Sequence, residues 1–230
     1  MANGDAFAIR PFVVDDARVV GDGRAQVESW ALHDRHELIH NVLGAFGPTN
    51  WFETTLGFFH GGIHQGVKPG YSITGPLFQL KALAREAKPD TWPGIAFVLG
   101  TLPPLGYGPF TNPGVHVFGY TAVTQNLFDD DLLLHSNLGF TTIDEKTHWL
   151  SNTIGGFGFQ ARAIGGLHAV AEIYHGDPYD PLFRDWASQV GFRYIVSDNF
   201  QFDGTVGSSL TGDSWRWWTL GIRLVSDPLW

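Results

Sequence analysis

From residue 24 onward the chain is written in short stretches where polar or small residues alternate with apolar ones. In residues 189–195, Gln189, Gly191 and Arg193 alternate with Val190, Phe192 and Tyr194. In residues 200–206, Gln201, Asp203 and Thr205 alternate with Phe200, Phe202 and Val206. Successive side chains on a strand point to opposite faces, so each stretch predicts a β-strand with one polar and one apolar face. Val196-Ser-Asp-Asn199 between them is turn chemistry for a tight hairpin. Strands of this kind either cover a soluble core or stand in a membrane barrel, with lipid outside and water inside.

The same pattern predicts strands over residues 24–31, 37–46, 51–59, 77–85, 94–101, 115–125, 132–141, 156–162, 167–174 and 215–226 in addition to these two. The total is about twelve, an even number, as a bacterial outer-membrane barrel requires. Polar faces carry Glu28, Glu53, Lys81, Arg85, His135, Arg162, His168, Glu172 and Arg223, while apolar faces carry Phe97, Phe157 and Leu220. The connections alternate in length. Turns at 47–50, 88–91, 126–130, 163–166 and 196–199 follow the even strands, and longer loops at 61–74, 103–114, 142–153, 175–185 and 208–214 follow the odd ones. The polar break at 33–36 is the departure. Short turns on one rim and longer loops on the other predict an all-β, antiparallel transmembrane barrel. A soluble sandwich has no reason to sort its loops by parity.

Composition narrows the choice. Only 16% of residues are charged, against a usual quarter, with 29 glycines and 14% aromatics in 230 residues, which suits an outer surface not bathed in water. The charges that remain fall on polar faces, and a soluble core would almost never bury so many. Glu28, Glu53, Lys81, Arg85, His135, Arg162, His168, Glu172, Arg193, Asp203 and Arg223 are therefore expected to line a wet lumen. Their bland role is a paired network that stiffens the wall; their functional role is to set what passes. The net charge of −9 argues against nucleic acid as a partner. The chain has no cysteine, so neither disulfide nor thiolate metal site is open to it. No apolar run is long enough for a membrane helix. The first residues have neither a basic nor an apolar signal segment, so a mature, exported chain is expected.

Residues 1–22 do not alternate. Phe7, Ile9, Phe12, Val13 and Val14 lie close together ahead of Asp15, Asp16 and Arg18. A segment this apolar needs a surface to bury against, so the arm is expected to enter the barrel of residues 23–230 and narrow it as a plug. Arg162, Arg193 and Arg223 are then the expected partners of Asp15 and Asp16. The alternative is a disordered periplasmic tail.

Arg10-Pro-Phe-Val-Val-Asp-Asp-Ala17, a glycine-containing turn and Gln26-Val-Glu28, with Gly191-Phe-Arg-Tyr194 and Leu220-Gly-Ile-Arg-Leu224 later, resemble the bacterial outer-membrane barrels associated with the meta-pathway of phenol degradation. Members often have Thr where this chain has Val14. The resemblance covers nearly the whole chain. It implies a monomeric outer-membrane barrel, in contact with outer-membrane lipid, that passes small, rather hydrophobic permeants without a catalytic mechanism or cofactor.

Other chemistry is weaker. A Ser–His pair on the outer wall would signal lipid hydrolysis, but Ser136 points away from His135 and Asn137, so no dyad assembles within that strand. A pairing across strands is not legible in sequence. Two histidine pairs, His33 with His36 and His60 with His64, lack a third metal ligand. Asp177 and Asp180, or Asp129-Asp-Asp131, read first as turn residues and only second as calcium ligands. The expectation is a passive channel for small, aromatic or hydrophobic molecules. The rivals are a non-conducting structural or adhesive barrel and a soluble ligand-binding barrel.

Overall fold

The computed structural model describes residues 12–64, 70–109 and 111–230. Phe7, Ile9, Arg10 and Pro11 of the arm and its motif lie outside them. The strands are β1 (Arg24–Asp34), β2 (Glu37–Thr49), β3 (Phe52–Ile63), β4 (Gly70–Arg85), β5 (Gly94–Leu102), β6 (Gly106–Tyr107), β7 (His116–Leu127), β8 (Leu132–Asp144), β9 (Trp149–Ile164), β10 (Leu167–His175), β11 (Trp186–Ser197), β12 (Phe200–Ser209) and β13 (Arg216–Val225). Apart from the two-residue β6, which pairs with Ile73 and Thr74 of β4, each strand pairs antiparallel with its sequence neighbours. β1 pairs with β13 from Gln26↔Val225 to Asp34↔Trp217, and β3 pairs with β4. The sheet therefore closes into a transmembrane barrel of twelve strands, with β6 as a short extra strand on β4.

Alternation assigns the two faces. Leu138 (69% exposed), Phe157 (68%), Phe97 (55%), Leu220 (55%), Phe192 (38%) and Phe202 (37%) all stand on the outer wall. Intervening residues such as Gln160, Gln189, Arg193, Gln201, Asp203 and Thr205 are buried inside. The apolar belt is what a hydrocarbon surround requires, and closure satisfies the backbone within the wall.

Several strands run further than the alternation predicts. Residues 61–63 and 70–74 belong to β3 and β4, and 142–144 and 149–153 to β8 and β9, rather than to loops. The β8–β9 link is thereby reduced to 145–148. On the opposite rim, the β4–β5 connection is a longer excursion over 86–93. It is held against the next turn, with the Asp90 N–H donating to the Asn126 carbonyl at 3.0 Å and the Phe128 N–H donating to Asp90 Oδ1 at 2.9 Å. The sorting of loops by parity survives in the long 103–115 and 176–185 connections.

The interior has two tiers. Towards the turn-side rim the wall presents Glu28, Glu53, Lys81, His135, Arg193, Asp203 and Arg223. Towards the loop-side rim, Trp30, Phe59, Leu77, Leu102, Phe118 and Ile154 belong to a continuous apolar cluster, which Leu43 extends down to the level of Glu28. The inner wall is therefore polar in one tier and largely apolar in the other. β5 buries Ala96 and Val98 inside while Phe97 and Leu99 face out, so its two faces are both apolar.

Candidate functional site

The lumen is occupied by the chain's own residues 12–20. Phe12, Val14, Asp15, Asp16, Ala17, Val19 and Val20 are all buried. The segment joins no sheet, so wall side chains satisfy its backbone instead of a ladder. Glu172 takes the N–H groups of Val13 and Val14, one on each carboxylate oxygen, both at 2.8 Å. Thr124 Oγ1 accepts from Ala17 N at 2.9 Å and Glu53 Oε2 from Val20 N at 2.7 Å. With its amide oriented so that both groups are satisfied, Asn137 brackets Asp15, donating to its carbonyl at 2.8 Å and accepting from its N–H at 2.7 Å. A strand has a free face and alternates; this segment is enclosed on all sides, which is why it does not.

Its two carboxylates meet one lysine. Lys81 Nζ lies 3.0 and 2.9 Å from the Asp15 carboxylate oxygens and 3.6 Å from Asp16 Oδ1. Tyr120 donates its hydroxyl to Asp15 Oδ2 at 2.9 Å, and Arg18 Nε lies 3.5 Å from Asp16 Oδ2. Lys81 and Arg18 thus join the partners expected from sequence, and the Asp16 carboxylate also bears electrostatically on Arg193 and Arg223, two of the three arginines expected. Arg193 donates to Gln160 and carries its guanidinium over the Phe12 ring, 5.8 Å from the centroid. Phe12 also packs on His135, 5.5 Å between centroids. Arg223 binds Gln26 Oε1 at 2.7 Å and sits 3.8 Å from Glu28 Oε1. Asp203 is buried opposite Arg193 in the β11–β12 register. His168 is buried against Gln160, at 3.2 Å.

Two of the residues expected to line the lumen do not. Arg85 is exposed and donates to the Pro93 carbonyl at 2.9 Å, because a register shift between Leu83 and Arg85 breaks the alternation there. Arg162 lies opposite His168, yet it is the last inward position before the turn. Its side chain leaves the lumen to pair with Asp131 at 3.2 Å, 46% exposed. Tyr120, Thr124, Asn137 and Gln189 hold the segment or its anchors and were missed by charge-based reading. Inward parity was the available signal, since Asn137 shares a face with His135 and Gln189 with Arg193, but over residues 115–125 polar and apolar residues stand on both faces.

Above the arm, at the loop-side mouth, is a cavity of about 370 Å3. Trp30, Phe59, Tyr174, Tyr179 and Trp217 supply aromatic surface, with Asn41, Gln189 and Asp180 among the polar groups. The 176–185 loop folds down into it. Tyr179 donates to Gln79 Oε1 at 3.1 Å and packs on Phe59 and Phe118, each 5.6 Å between centroids. Asp177 and Asp180 accept backbone N–H groups of Tyr179, Leu182 and Phe183, as turn-forming carboxylates do. Burial pushes the Asp180 carboxyl above its ordinary range, against those hydrogen bonds.

No protein-family model matches the chain, and no curated protein sequence matches it. Solved structures do. An outer-membrane channel from Pseudomonas putida F1 is 8% identical with a TM-score of 0.65, covering 91% of this chain and 97% of that one. The KdgM porin in complex with disordered oligogalacturonate is 10% identical with a TM-score of 0.60, over 86% of this chain and 98% of that one. The NanC porin is also 10% identical, with a TM-score of 0.59, over 87% and 98%. At these identities the likeness is one of fold: a closed outer-membrane barrel.

Proposed function

We infer that the chain is a bacterial outer-membrane channel, monomeric and surrounded by outer-membrane lipid, that passes small apolar or aromatic molecules. The observation that carries this reading is the aromatic vestibule stacked on a lumen segment bound through side chains. A bound apolar molecule would gain roughly 25 cal/mol for each Å2 of surface it buries there. It would then wait on displacement of the arm, which is held by contacts that can exchange one at a time. The phenol-degradation resemblance and the porin fold of the neighbours both support a conducting role. A polyanionic sugar such as the oligogalacturonate bound by the KdgM porin fits this lumen poorly, since Lys81 and Arg223 already face carboxylates.

The rival reading, a non-conducting barrel, is favoured by the filling of the lumen by residues 12–20. Planar-bilayer recording of the full chain and of a variant lacking residues 2–20 separates the two. The channel reading expects a small conductance that grows several-fold on deletion, with block by simple aromatic solutes added on the loop side. Silence in both proteins, with the barrel intact, would overturn it.

A further inference from the structure

The outer wall carries a hydrogen-bonded chain that the lumen does not explain. Ser29, His40, His60 and Tyr71 lie on β1, β2, β3 and β4, four neighbouring strands, and each stands on the outward side of its strand. Ser29 Oγ is 2.7 Å from His40 Nε2, His40 Nδ1 is 2.9 Å from His60 Nε2, and His60 Nδ1 is 2.7 Å from the Tyr71 hydroxyl. Register brings them together: His40 pairs directly with His60, and Ser29 lies one outward position along from Ala31, the partner of His40. Around them the wall is apolar, with Val27, Leu56 and Phe58 exposed. Polar side chains facing hydrocarbon are costly, so four of them linked in series call for a use.

Beside the serine is a surface groove of about 390 Å3. It exists because Ser29 and Ala31 are small while Phe202, Leu220 and Ile222 rise on one side and His40 on the other. One end of an apolar groove thus meets a hydroxyl already hydrogen-bonded to an imidazole, itself oriented by a third group. That is the recurring geometry of an activated serine nucleophile.

We propose that Ser29 and His40 form a catalytic pair on the outer wall that hydrolyses carboxylic esters presented from the bilayer, with His60 and Tyr71 as positioning residues. One tautomer set runs the chain in one direction. Ser29 O–H donates to His40 Nε2, His40 Nδ1–H donates to His60 Nε2, and His60 Nδ1–H donates to the Tyr71 oxygen. Ser29 Oγ attacks the ester carbonyl carbon while His40 Nε2 takes the hydroxyl proton. The ester C–O bond breaks, and the same proton leaves on the departing alcohol. Water then attacks the acyl-serine, giving one proton to His40, and the carboxylic acid departs as that proton returns to Ser29 Oγ. The groove holds the apolar tail of the acyl group. This activity is independent of conduction, because none of Ser29, His40, His60 and Tyr71 lies in the lumen, and it departs from the non-catalytic role that the sequence implies.

The test uses the full chain refolded in phospholipid vesicles, with a fluorophosphonate probe and two ester sources. These are the vesicle phospholipid itself and an apolar aryl ester of a short acid. The probe should label Ser29, and Ser29→Ala should abolish labelling. His40→Asn should slow turnover by at least about 100-fold, the scale of a lost general base. His60→Phe should lower kcat at unchanged KM and shift the acid limb of the pH–rate profile, which loss of packing alone would not do. Ser136→Ala, another outward serine, should leave labelling intact and serves with far-UV circular dichroism as the folding control. Release of fatty acid or of the aryl alcohol tells which source is used. Absence of Ser29 labelling in a folded barrel, with neither ester cleaved faster than by Ser29→Ala, would overturn the proposal.

Discussion

Lys81 shows how a single buried charge ties the arm to the barrel. Its side chain is fully buried with Asp15 at 2.9 Å and Asp16 at 3.6 Å, and both carboxylates come from the segment inside. A buried pair is a weak source of net stability, because desolvation offsets most of the attraction, but removing one partner strands the other. Lys81→Met should therefore cost about 3–5 kcal/mol, read as a lower urea midpoint for refolding into vesicles, with the arm becoming accessible to protease. A loss below about 1 kcal/mol with the arm still protected would mean the pair does not hold it. A second residue-scale contrast concerns the wall. Phe202 faces out at 37% exposure and Thr205 faces in at 5%. Phe202→Arg should cost about 2–4 kcal/mol if it lies near the bilayer midplane, and Thr205→Arg far less, since the interior there is polar. Thr205 donates to Gln189 Oε1 at 2.8 Å, so part of any loss there belongs to that bond. Equal losses would contradict the face assignment.

At the scale of elements, strands were legible and their ends were not. Alternation is a local signal, so β11 and β12 are found from Val190, Phe192, Tyr194 and Phe202 alone. Strand ends depend on where neighbouring strands stop. Residues 149–153 extend β9 because Leu150, Ser151 and Asn152 find partners in Ile143, Thr142 and Thr141, which no window on residues 142–153 reveals. The same limit hid the arm's anchors. Its burial could be argued from Phe12, Val13 and Val14, but the side chains that receive its N–H groups lie on β3, β7, β8 and β10. Charge suggested arginines as partners for Asp15 and Asp16. The chain's path places Lys81 nearest and Arg162 turns outward at its rim, while Arg193 and Arg223 feel the Asp16 charge from further off. The series from Ser29 to Tyr71 was illegible for a similar reason. His60 and His64 are neighbours in sequence, yet His60 meets His40, a contact that only the β2–β3 register creates.

At the scale of the whole molecule, the barrel should set its own height in a bilayer, and tryptophan is the residue that reports it. Nine tryptophans are too many for a lumen of this size, and the structure divides them. Trp30 and Trp217 are buried inside, and Trp215 packs on Trp217 at 4.7 Å between ring centroids, so neither Trp215 nor Trp217 stands on the outer wall. The outward ones fall into two groups. Trp51 (54% exposed), Trp92 (47%) and Trp230 (70%) lie on the turn-side rim, and Trp149 (57%), Trp186 (43%) and Trp218 (41%) lie towards the loop-side rim. An indole is apolar over its ring and polar at its N–H, so it is best placed at headgroup depth, and two girdles are what fix a barrel between two interfaces. Variants keeping one tryptophan at position 51, 92, 149, 186 or 218 should each be quenched most by lipids brominated near the headgroups and least by those brominated near the chain ends. A variant keeping only Trp217 should respond weakly to both, being screened by the wall. Strong quenching of Trp149 or Trp186 by deep bromines would place the loop-side rim within the hydrocarbon and contradict the extended strands; strong quenching of Trp217 would put that part of β13 in lipid and contradict the inner face of the barrel.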